Sequence, residues 1–318
     1  SFSSLDPTNT FKTGTVASNL NILYVYYTAN LATDQRRAKI SFRFEGEDEH
    51  ILDLVQQVQS QGNFPAFNSW AEIPSYQENP NYQYVTHATT LNSRSVRNFS
   101  FCLDKTKKVA LWVAYPMHSS YLGSGGRTDA WAFDPLVKTG DQANCVSYSY
   151  RGQYDRGHQI ASADRLATVE MNAQTFYMSN ITPQLDRLNQ DMWARLEAKV
   201  RSYKCSDTLY VVTGAYFSKD AVSTTSDGYG NTVPIPSNYF KVLLRTKNGS
   251  TGKKIADCED SELITIGFWV EHKSYGDVEP PRSVCTSVSQ IEEKTGFAFF
   301  PQVSAVVKQQ NNPAQWGL

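Results

Sequence analysis

One of the five histidines stands among residues that suit phosphate chemistry. His158 closes the run Asp155-Arg156-Gly157-His158. An imidazole can accept a proton from water near neutral pH, and a guanidinium binds two phosphate oxygens at once. The glycine between Arg156 and His158 lets the backbone approach a ligand closely. Because a lone histidine is more often a structural group, this run alone leaves both interpretations open.

A second group of candidates follows on a predicted helix over residues 193–204. Four apolar residues recur at every fourth position and predict its buried stripe: Leu188, Met192, Leu196 and Val200. Trp193, Glu197 and Arg201 share the adjacent stripe, with Asn189 one step back. On a continuous helix, Asn189 and Glu197 would lie about 12 Å apart. One of them could bind an ion directly while the other holds a bound water, as Mg²⁺ allows. Alternatively, Glu197 and Arg201 form an ordinary surface ion pair.

Together these residues resemble a known family of enzymes. His158, Asn180, Asn189, Glu197 and Arg201 occur in the order typical of the DNA/RNA non-specific endonucleases, which belong to the ββα-metal or His-Me finger nucleases. The matching stretches are YDRGHQIASAD and FYMSNITPQLDRLNQDMWARLEAKVR. The later stretches LYVVTGAY, IPSNYFKVLL and SQIEEKTGFAFF also resemble the family. The resemblance covers roughly residues 80–305 and leaves out the first 76.

The resemblance implies a role for each matching residue. His158 would be the general base, Asn189 the direct ligand of Mg²⁺, and Glu197 a ligand that reaches the ion through water. Mn²⁺ or Ca²⁺ would be alternatives at the same site. Arg156 and Arg201 would hold the phosphate and offset its developing charge. Asn180 would orient the site, and Asp155 would support the turn before His158.

A long loop over residues 117–150 carries one more candidate. It contains Arg127 and Trp131, basic and aromatic residues of the kind that contact nucleic acid. The alternative is a surface arginine and a tryptophan that pins the loop. The family often places a phosphate-binding arginine two residues before the loop tryptophan, where this chain has Asp129. With Asp129 at that position, the substrate-binding role that the resemblance implies is given instead to Arg127, four residues before Trp131.

The activity that this resemblance implies is Mg²⁺-dependent hydrolysis of phosphodiester bonds in DNA and RNA. Cleavage would ignore sequence and sugar, because the enzyme contacts the phosphate backbone, and would leave 5′-phosphate ends. The alternative is a catalytically idle relative that binds extracellular nucleic acid or protein through its N-terminal module. Intact His158, Asn189 and Glu197 favour the enzyme.

For the fold, we expect an α+β protein with a central, mostly antiparallel sheet flanked by helices. A ββα-metal unit should span roughly residues 150–204. Strand-like runs are found at Arg97–Asp104, Val109–Tyr115 and Leu263–Val270, the first two forming a hairpin. The Ser-, Thr- and Gly-rich stretch Phe217–Thr232 is predicted to be a flexible surface loop, with a turn at Asp227-Gly228.

The expected domains are a small accessory module over residues 1–76 and an endonuclease domain over 77–318. In the module we predict strands at Asn21–Thr28 and Lys39–Phe44 and a helix at Glu47–Gln61, a β-β-α order. The proline-containing stretch Asn63–Pro80 is predicted to be the linker.

Charge constrains the partners. The chain has a net charge of −1, so any DNA or RNA must be held by a local basic site. Residues 151–204 contain eight Lys and Arg against six Asp and Glu, a net +2. Residues 1–76 contain five against eight, a net −3, which argues against a DNA-binding role for the module.

Location and disulfide pairing are less constrained. No stretch approaches ~18 consecutive apolar residues, so no transmembrane helix is predicted. From the polar start at Ser1 we expect a secreted, periplasmic or cell-surface protein, with an export signal or lipid anchor before this start. Five cysteines occur, none in a CxxC pair, which argues against structural zinc. Cys258 and Cys285 could form a disulfide, and pairing among the others (Cys102, Cys145 and Cys205) stays open.

Overall fold

A computed structural model describes residues 36–42, 49–56, 70–218 and 222–318 of the chain. Its contacts divide the chain into two units, Ser1–Ala66 and Phe67–Leu318. In the second unit, Ala71 and Ile73 are buried in an apolar cluster. The described end of the predicted linker is therefore part of the larger unit.

The described part of the first unit is an antiparallel hairpin. Strand β1 (Arg36–Phe42) pairs with β2 (His50–Gln56). The first strand agrees with the prediction at Lys39–Phe44, whereas the predicted helix over Glu47–Gln61 is wrong. Short apolar runs fit both periods, and here pairing with β1 decides in favour of a strand. The predicted strand Asn21–Thr28 lies outside the described residues.

The second unit has the predicted α+β architecture. In chain order its strands and helices are β3 (Tyr82–Leu91), β4 (Arg94–Asp104), β5 (Val109–Met117), α1 (Ser119–Leu122), β6 (Tyr154–His158), α2 (Val169–Gln174), β7 (Ile181–Leu185), α3 (Trp193–Ser202), β8 (Leu209–Tyr216), β9 (Thr224–Ser226), β10 (Thr232–Pro234), β11 (Asn238–Thr246), β12 (Leu263–Glu271), β13 (Cys285–Thr286), α4 (Val288–Thr295) and α5 (Ala305–Lys308). The described residues form a seven-stranded sheet in the order β13-β12-β11-β8-β5-β4-β3, antiparallel throughout. The predicted hairpin β4–β5 is confirmed.

The two faces of this sheet carry different layers. Successive side chains of a strand point to opposite faces. On β11, Tyr239 and Leu243 pack in the apolar cluster that includes β7 and α3. Phe240 and Val242 pack in a second cluster with α4 and α5. We call the first side the site face and the second the back face. β5 lies between the two layers, and all nine of its residues are buried.

On the site face, β6 and β7 form a hairpin of their own, followed by α3. Gly157 on β6 faces Thr182 on β7. A Cβ atom at residue 157 would lie 2.4 Å from Oε1 of Gln184, so only glycine fits this close approach. The buried stripe predicted for the helix is confirmed, since Leu188, Met192, Leu196 and Val200 are all buried.

α3 begins at Trp193, so Asn189 lies outside it and before its first turn. Residues Leu188–Met192 form a π-helical turn, and Asp191 has non-helical torsion angles of φ −100° and ψ −110°. This turn and its kink lie between Asn189 and α3. The prediction that Asn189 shares one helical stripe with Glu197 is therefore wrong. Isolated π turns are frequent at functional sites.

The cysteines make no disulfide. All five are free, so the possible bridge between Cys258 and Cys285 is not formed. In the ranges described above, no helix combines the length and apolar character needed to cross a membrane.

Candidate active site

His158 lies at the end of β6, against two aromatic rings. Its ring centroid is 5.3 Å from that of Trp131 and 5.0 Å from that of Phe176. The Nε2 atom is buried and has no hydrogen-bond partner among the residues that the structure describes. A buried polar atom without a partner is uncommon in a folded protein, and it marks His158 as a candidate for function.

Two arginines flank the same aromatic pair. The guanidinium carbon of Arg156 lies 3.7 Å from the ring centroid of Trp131. That of Arg127 lies 4.8 Å from the centroid of Phe176 and 5.9 Å from that of Trp131. The structure therefore places Arg127, Arg156 and His158 in one cluster, although Arg127 is distant from the other two in sequence.

Both arginines are held by their own neighbours. Nη1 of Arg156 donates to the carbonyl oxygens of Cys145 and Val146, at 3.1 and 3.2 Å. Nε of Arg127 donates to Oδ1 of Asp129 at 2.8 Å. Asp129 thus occupies the position at which the family often has its arginine, and here it binds the arginine that lies two residues earlier.

The charge state of His158 follows from this setting. Burial lowers its pKa from 6.5 to about 3, and the positive charges of Arg127 and Arg156 act in the same direction. A hydrogen bond with the backbone of Arg156 works against them. The imidazole is therefore neutral at physiological pH and able to accept a proton. A bound phosphate would offset the two arginines and raise this pKa toward the range useful for a base.

Asn180 braces the segment that follows His158. Its Nδ2 donates to the carbonyl oxygens of Ile160 and Thr175, at 3.0 and 2.7 Å, and its Oδ1 accepts from the N–H of Ile160 at 3.0 Å. The side chain is fully buried. Its amide contacts backbone only, which fits the expected orienting role.

Asn189 is oriented by Asp155. Oδ2 of Asp155 accepts from Nδ2 of Asn189 at 2.9 Å and from Nε2 of Gln190 at 2.8 Å. With its nitrogen held on Asp155, Asn189 turns its carbonyl oxygen away from that carboxylate. Across the described ranges, that oxygen makes no hydrogen bond. Asp155, expected only to support the turn, therefore positions the proposed metal ligand.

Glu197 and Arg201 are half-buried members of a charge cluster that also contains the buried Asp164 and Lys241. Nη1 of Arg201 donates to Oδ1 of Asp164 at 2.9 Å, and the Tyr115 hydroxyl donates to the other oxygen at 3.0 Å. This pairing with Asp164 replaces the surface pair of Glu197 with Arg201 considered above. Lys241 of β11 is 1% exposed and lies over the ring of Trp193 at 4.7 Å.

Burial and charge act against each other at Glu197. Burial raises its pKa from 4.5 to about 7, while Lys241 and Arg201 lower it and Asp164 raises it. Burial likewise lowers the pKa of Lys241, and Glu197 opposes that effect. Glu197 therefore changes its charge close to neutral pH.

The residues present fit a metal ion with few protein ligands. Within the described segments, no cluster of three or more His, Cys, Asp or Glu residues could hold an ion. Asn189 offers an oxygen whose amide nitrogen is already fixed, and oxygen is the ligand that Mg²⁺ prefers. Because Mg²⁺ keeps several waters, one direct ligand and one contact through water would suffice.

Comparison with known proteins identifies the family. The model of the DNA/RNA non-specific endonuclease family matches residues 77–306. A nuclease of Nostoc sp. (strain PCC 7120 / SAG 25.82 / UTEX 2576) is 28% identical over 228 residues, which cover 71% of this chain and 80% of that protein. A nuclease of Serratia marcescens is 36% identical over 172 residues, 52% of this chain and 59% of the relative.

The chain belongs to the DNA/RNA non-specific endonuclease family. It is therefore a nuclease, of a family that depends on a metal ion. A solved structure of EndoG in complex with EndoGI shares the fold. Its TM-score is 0.53 at 21% identity, and the match covers 70% of this chain and 89% of that one.

The sequence predictions for this endonuclease site missed three contributors. Asp164 and Phe176 lie within the two matching stretches, but no spacing marked them as catalytic. Lys241 lies outside both stretches, and the fold brings all three residues to the site. Lys241 had one available signal: it is a charged residue in the otherwise apolar run Tyr239–Leu244. The catalytic, substrate-binding and metal roles assigned to the predicted residues stay predictions.

Proposed function

We propose that the chain is a Mg²⁺-dependent endonuclease that hydrolyses DNA and RNA without regard to sequence or sugar and leaves 5′-phosphate ends. One observation carries this proposal. A neutral histidine, two arginines and an asparagine with a free carbonyl oxygen converge on one hairpin and the turn beside it.

The proposed reaction begins with binding of the phosphate. Arg127 and Arg156 offer guanidinium groups beside His158 and are held by Asp129 and by backbone carbonyls. His158 then accepts a proton from the attacking water. Arg201, held by Asp164, offsets charge that develops on the phosphoryl oxygens.

Asn189 would hold the Mg²⁺ directly, and Glu197 would hold one of its waters. When bound, the ion supplies Lewis-acid stabilisation of the phosphoryl and leaving oxygens. Asp155 keeps the Asn189 amide in the orientation that makes this contact possible. Each group in this scheme acts on the phosphodiester and none on a base, which supports indifference to sequence.

Digestion of a supercoiled plasmid and of a long RNA tests the proposal. We expect Mg²⁺ to support cleavage of both, EDTA to abolish it, and all new ends to carry 5′-phosphate. His158→Ala protein purified in parallel controls for contaminating nuclease. Absence of cleavage of either substrate by the native chain would contradict the proposal and favour the idle, nucleic-acid- or protein-binding alternative. An exported location stays a prediction, to be tested by cell fractionation.

A further inference from the structure

Two exposed tyrosines form a pair beside the active site. Tyr148 is 61% exposed and Tyr229 is 58% exposed. Their ring centroids are 5.8 Å apart at an interplanar angle of 65°. Neighbouring exposed aromatic rings on a soluble protein often mark a binding surface.

A hydrogen-bonded turn places Tyr229 next to Tyr148. The buried carboxylate of Asp227 accepts hydrogen bonds from the backbone N–H groups of Asn144, Tyr229 and Asn231, each at 2.9 Å. Gly228 fits closely against the other loop, since a Cβ atom there would lie 2.9 Å from Cβ of Tyr148. This part of the predicted flexible loop Phe217–Thr232 is therefore ordered by contacts, and the predicted turn at Asp227-Gly228 is present.

The loop that carries Tyr148 is attached to the hairpin that carries His158. Arg156 binds the carbonyl oxygens of Cys145 and Val146. Oγ of Ser149 donates to the carbonyl oxygen of Tyr154 at 3.0 Å. Val146 and Tyr148 are two residues apart, a span of at most about 7 Å. A strand whose phosphate is held by Arg156 would therefore pass close to the tyrosine pair.

The local charge also suits a polyanion. Between residues 144 and 151 and between 222 and 231, the charged residues are Arg151 and Asp227. Asp227 is buried and occupied by its hydrogen bonds, whereas Arg151 is exposed. The exposed charge that these loops present beside the two tyrosines is thus positive.

We propose that Tyr148 and Tyr229 form a stacking platform for a nucleobase of single-stranded DNA or RNA whose backbone enters the active site at Arg156. The inference rests on the proposed nuclease function and adds a binding subsite to it. Every base has a π-face, so stacking favours single strands without introducing a sequence preference. In a duplex the bases are already stacked and paired, so the platform discriminates between strand forms.

Binding measured in EDTA separates the platform from catalysis. The probes are a fluorescent single-stranded oligothymidylate and an abasic oligonucleotide of the same length. For Tyr148→Ala/Tyr229→Ala we expect about 5- to 100-fold weaker binding of the oligothymidylate, the range found for losing one stacked base. Binding of the abasic probe should not change. Tyr148→Phe/Tyr229→Phe should bind both probes as the native chain does.

Tyr76→Ala is the matched control, because Tyr76 is 49% exposed and also contacts another tyrosine ring, that of Tyr84. It should leave binding of both probes unchanged. With Mg²⁺ present, the double alanine variant should lose kcat/KM on single strands and keep it on duplex DNA.

Equal binding of oligothymidylate by the native chain and the double variant would overturn the platform, and would point to a protein partner for this surface. So would an equal loss on the abasic probe. If either of these binding results is found and the native chain still cleaves nucleic acid, the platform is excluded and the proposed nuclease function stands. If it cleaves nothing in the plasmid and RNA digests, the proposed function itself fails.

Discussion

The two faces of the central sheet have opposite characters, and β11 shows the contrast within a few residues. On the back face, Phe240 and Val242 pack with Ile291 of α4 in an apolar cluster. On the site face, the same strand places Lys241 over the ring of Trp193, where its positive charge acts on Glu197. A buried strand could carry an apolar residue at position 241 as it does at 240 and 242, so the lysine there is not required by the fold.

This difference separates stability from chemistry. Burial of apolar side chains on the back face stabilises the fold. A largely buried ionic cluster on the site face gives little net stability, because desolvation offsets the attraction between its charges. What the cluster provides is control over the pH at which Glu197 ionises, since burial raises its pKa and neighbouring charges oppose or add to that effect. Mutations on the site face should therefore lower activity more than Tm, and mutations on the back face should lower Tm more than activity.

The largest expected effect on activity is that of His158→Ala. Loss of a general base lowers turnover by about 100-fold or more. Tm should be unchanged or higher, since the variant removes a ring whose buried nitrogen has no partner. Initial rates of plasmid nicking in Mg²⁺, with a thermal melt, measure both quantities. Native-like turnover would remove His158 from the role of base.

The next effect should come from Asp155, through the metal. Removing a group that orients a metal ligand typically costs 10- to 100-fold in affinity, so Asp155→Ala should raise the Mg²⁺ concentration for half-maximal rate by about that factor. Asp155→Asn keeps an acceptor oxygen for Asn189 and should recover much of the loss. If both variants lower the maximal rate at unchanged Mg²⁺ dependence, Asp155 does not act through Asn189.

A smaller effect is expected from Lys241→Met. It removes a positive charge that lowers the pKa of Glu197, so this carboxyl would stay protonated to higher pH. From a pKa of about 7, a rise of about one unit lowers the ionised fraction at pH 7 by about fivefold, so activity at pH 7 should fall by about that factor and recover at higher pH. Lys241→Arg is the control that keeps the charge. A loss that is equal at every pH would contradict this explanation.

The smallest effect on activity should come from the back face. Ile291→Ala leaves a cavity and should cost roughly 2–5 kcal/mol of unfolding free energy, seen as a lower Tm. Below its unfolding transition the variant should cleave within about twofold of the native rate, since such a change lies far from the reacting groups. A large loss of turnover in folded protein would break the separation between the faces.

Local patterns predicted much of the fold and the residues of the two motifs. The apolar stripe of α3 and the β4–β5 hairpin depend on neighbours in sequence, so periodicity and turn spacing were sufficient. The helix over Glu47–Gln61 failed because its apolar run is short enough to fit either period. Asn189 was predicted as a site residue, but its place on the stripe of Glu197 was predicted wrongly, since a kink at Asp191 cannot be seen in a stripe.

The rest of the site depends on contacts between distant segments. Phe176 contacts both Arg127 and His158, and Lys241 of the central sheet acts on Glu197 through its charge. No spacing in the sequence predicts these two interactions, because they form only when β6, β7 and α3 pack on the site face. Asp129 was predicted as a departure from the family, and the structure shows it as the partner of Arg127.

The central claim is that burial on the site face sets two charge states for hydrolysis, a neutral His158 and a Glu197 that ionises near neutral pH. The rate of DNA cleavage between pH 5 and 9, at low and at high Mg²⁺, tests it directly. Measured as kcat/KM, the rate reports the free enzyme, in which the pKa of His158 is lowered to about 3, so His158 is neutral over this whole range and adds no inflection. Activity should fall below an apparent pKa near 7 at low Mg²⁺, where protons compete with the ion at Glu197. High Mg²⁺ should move this inflection to lower pH. An inflection that stays in place as Mg²⁺ is raised, and that persists in Glu197→Gln, would contradict the claim.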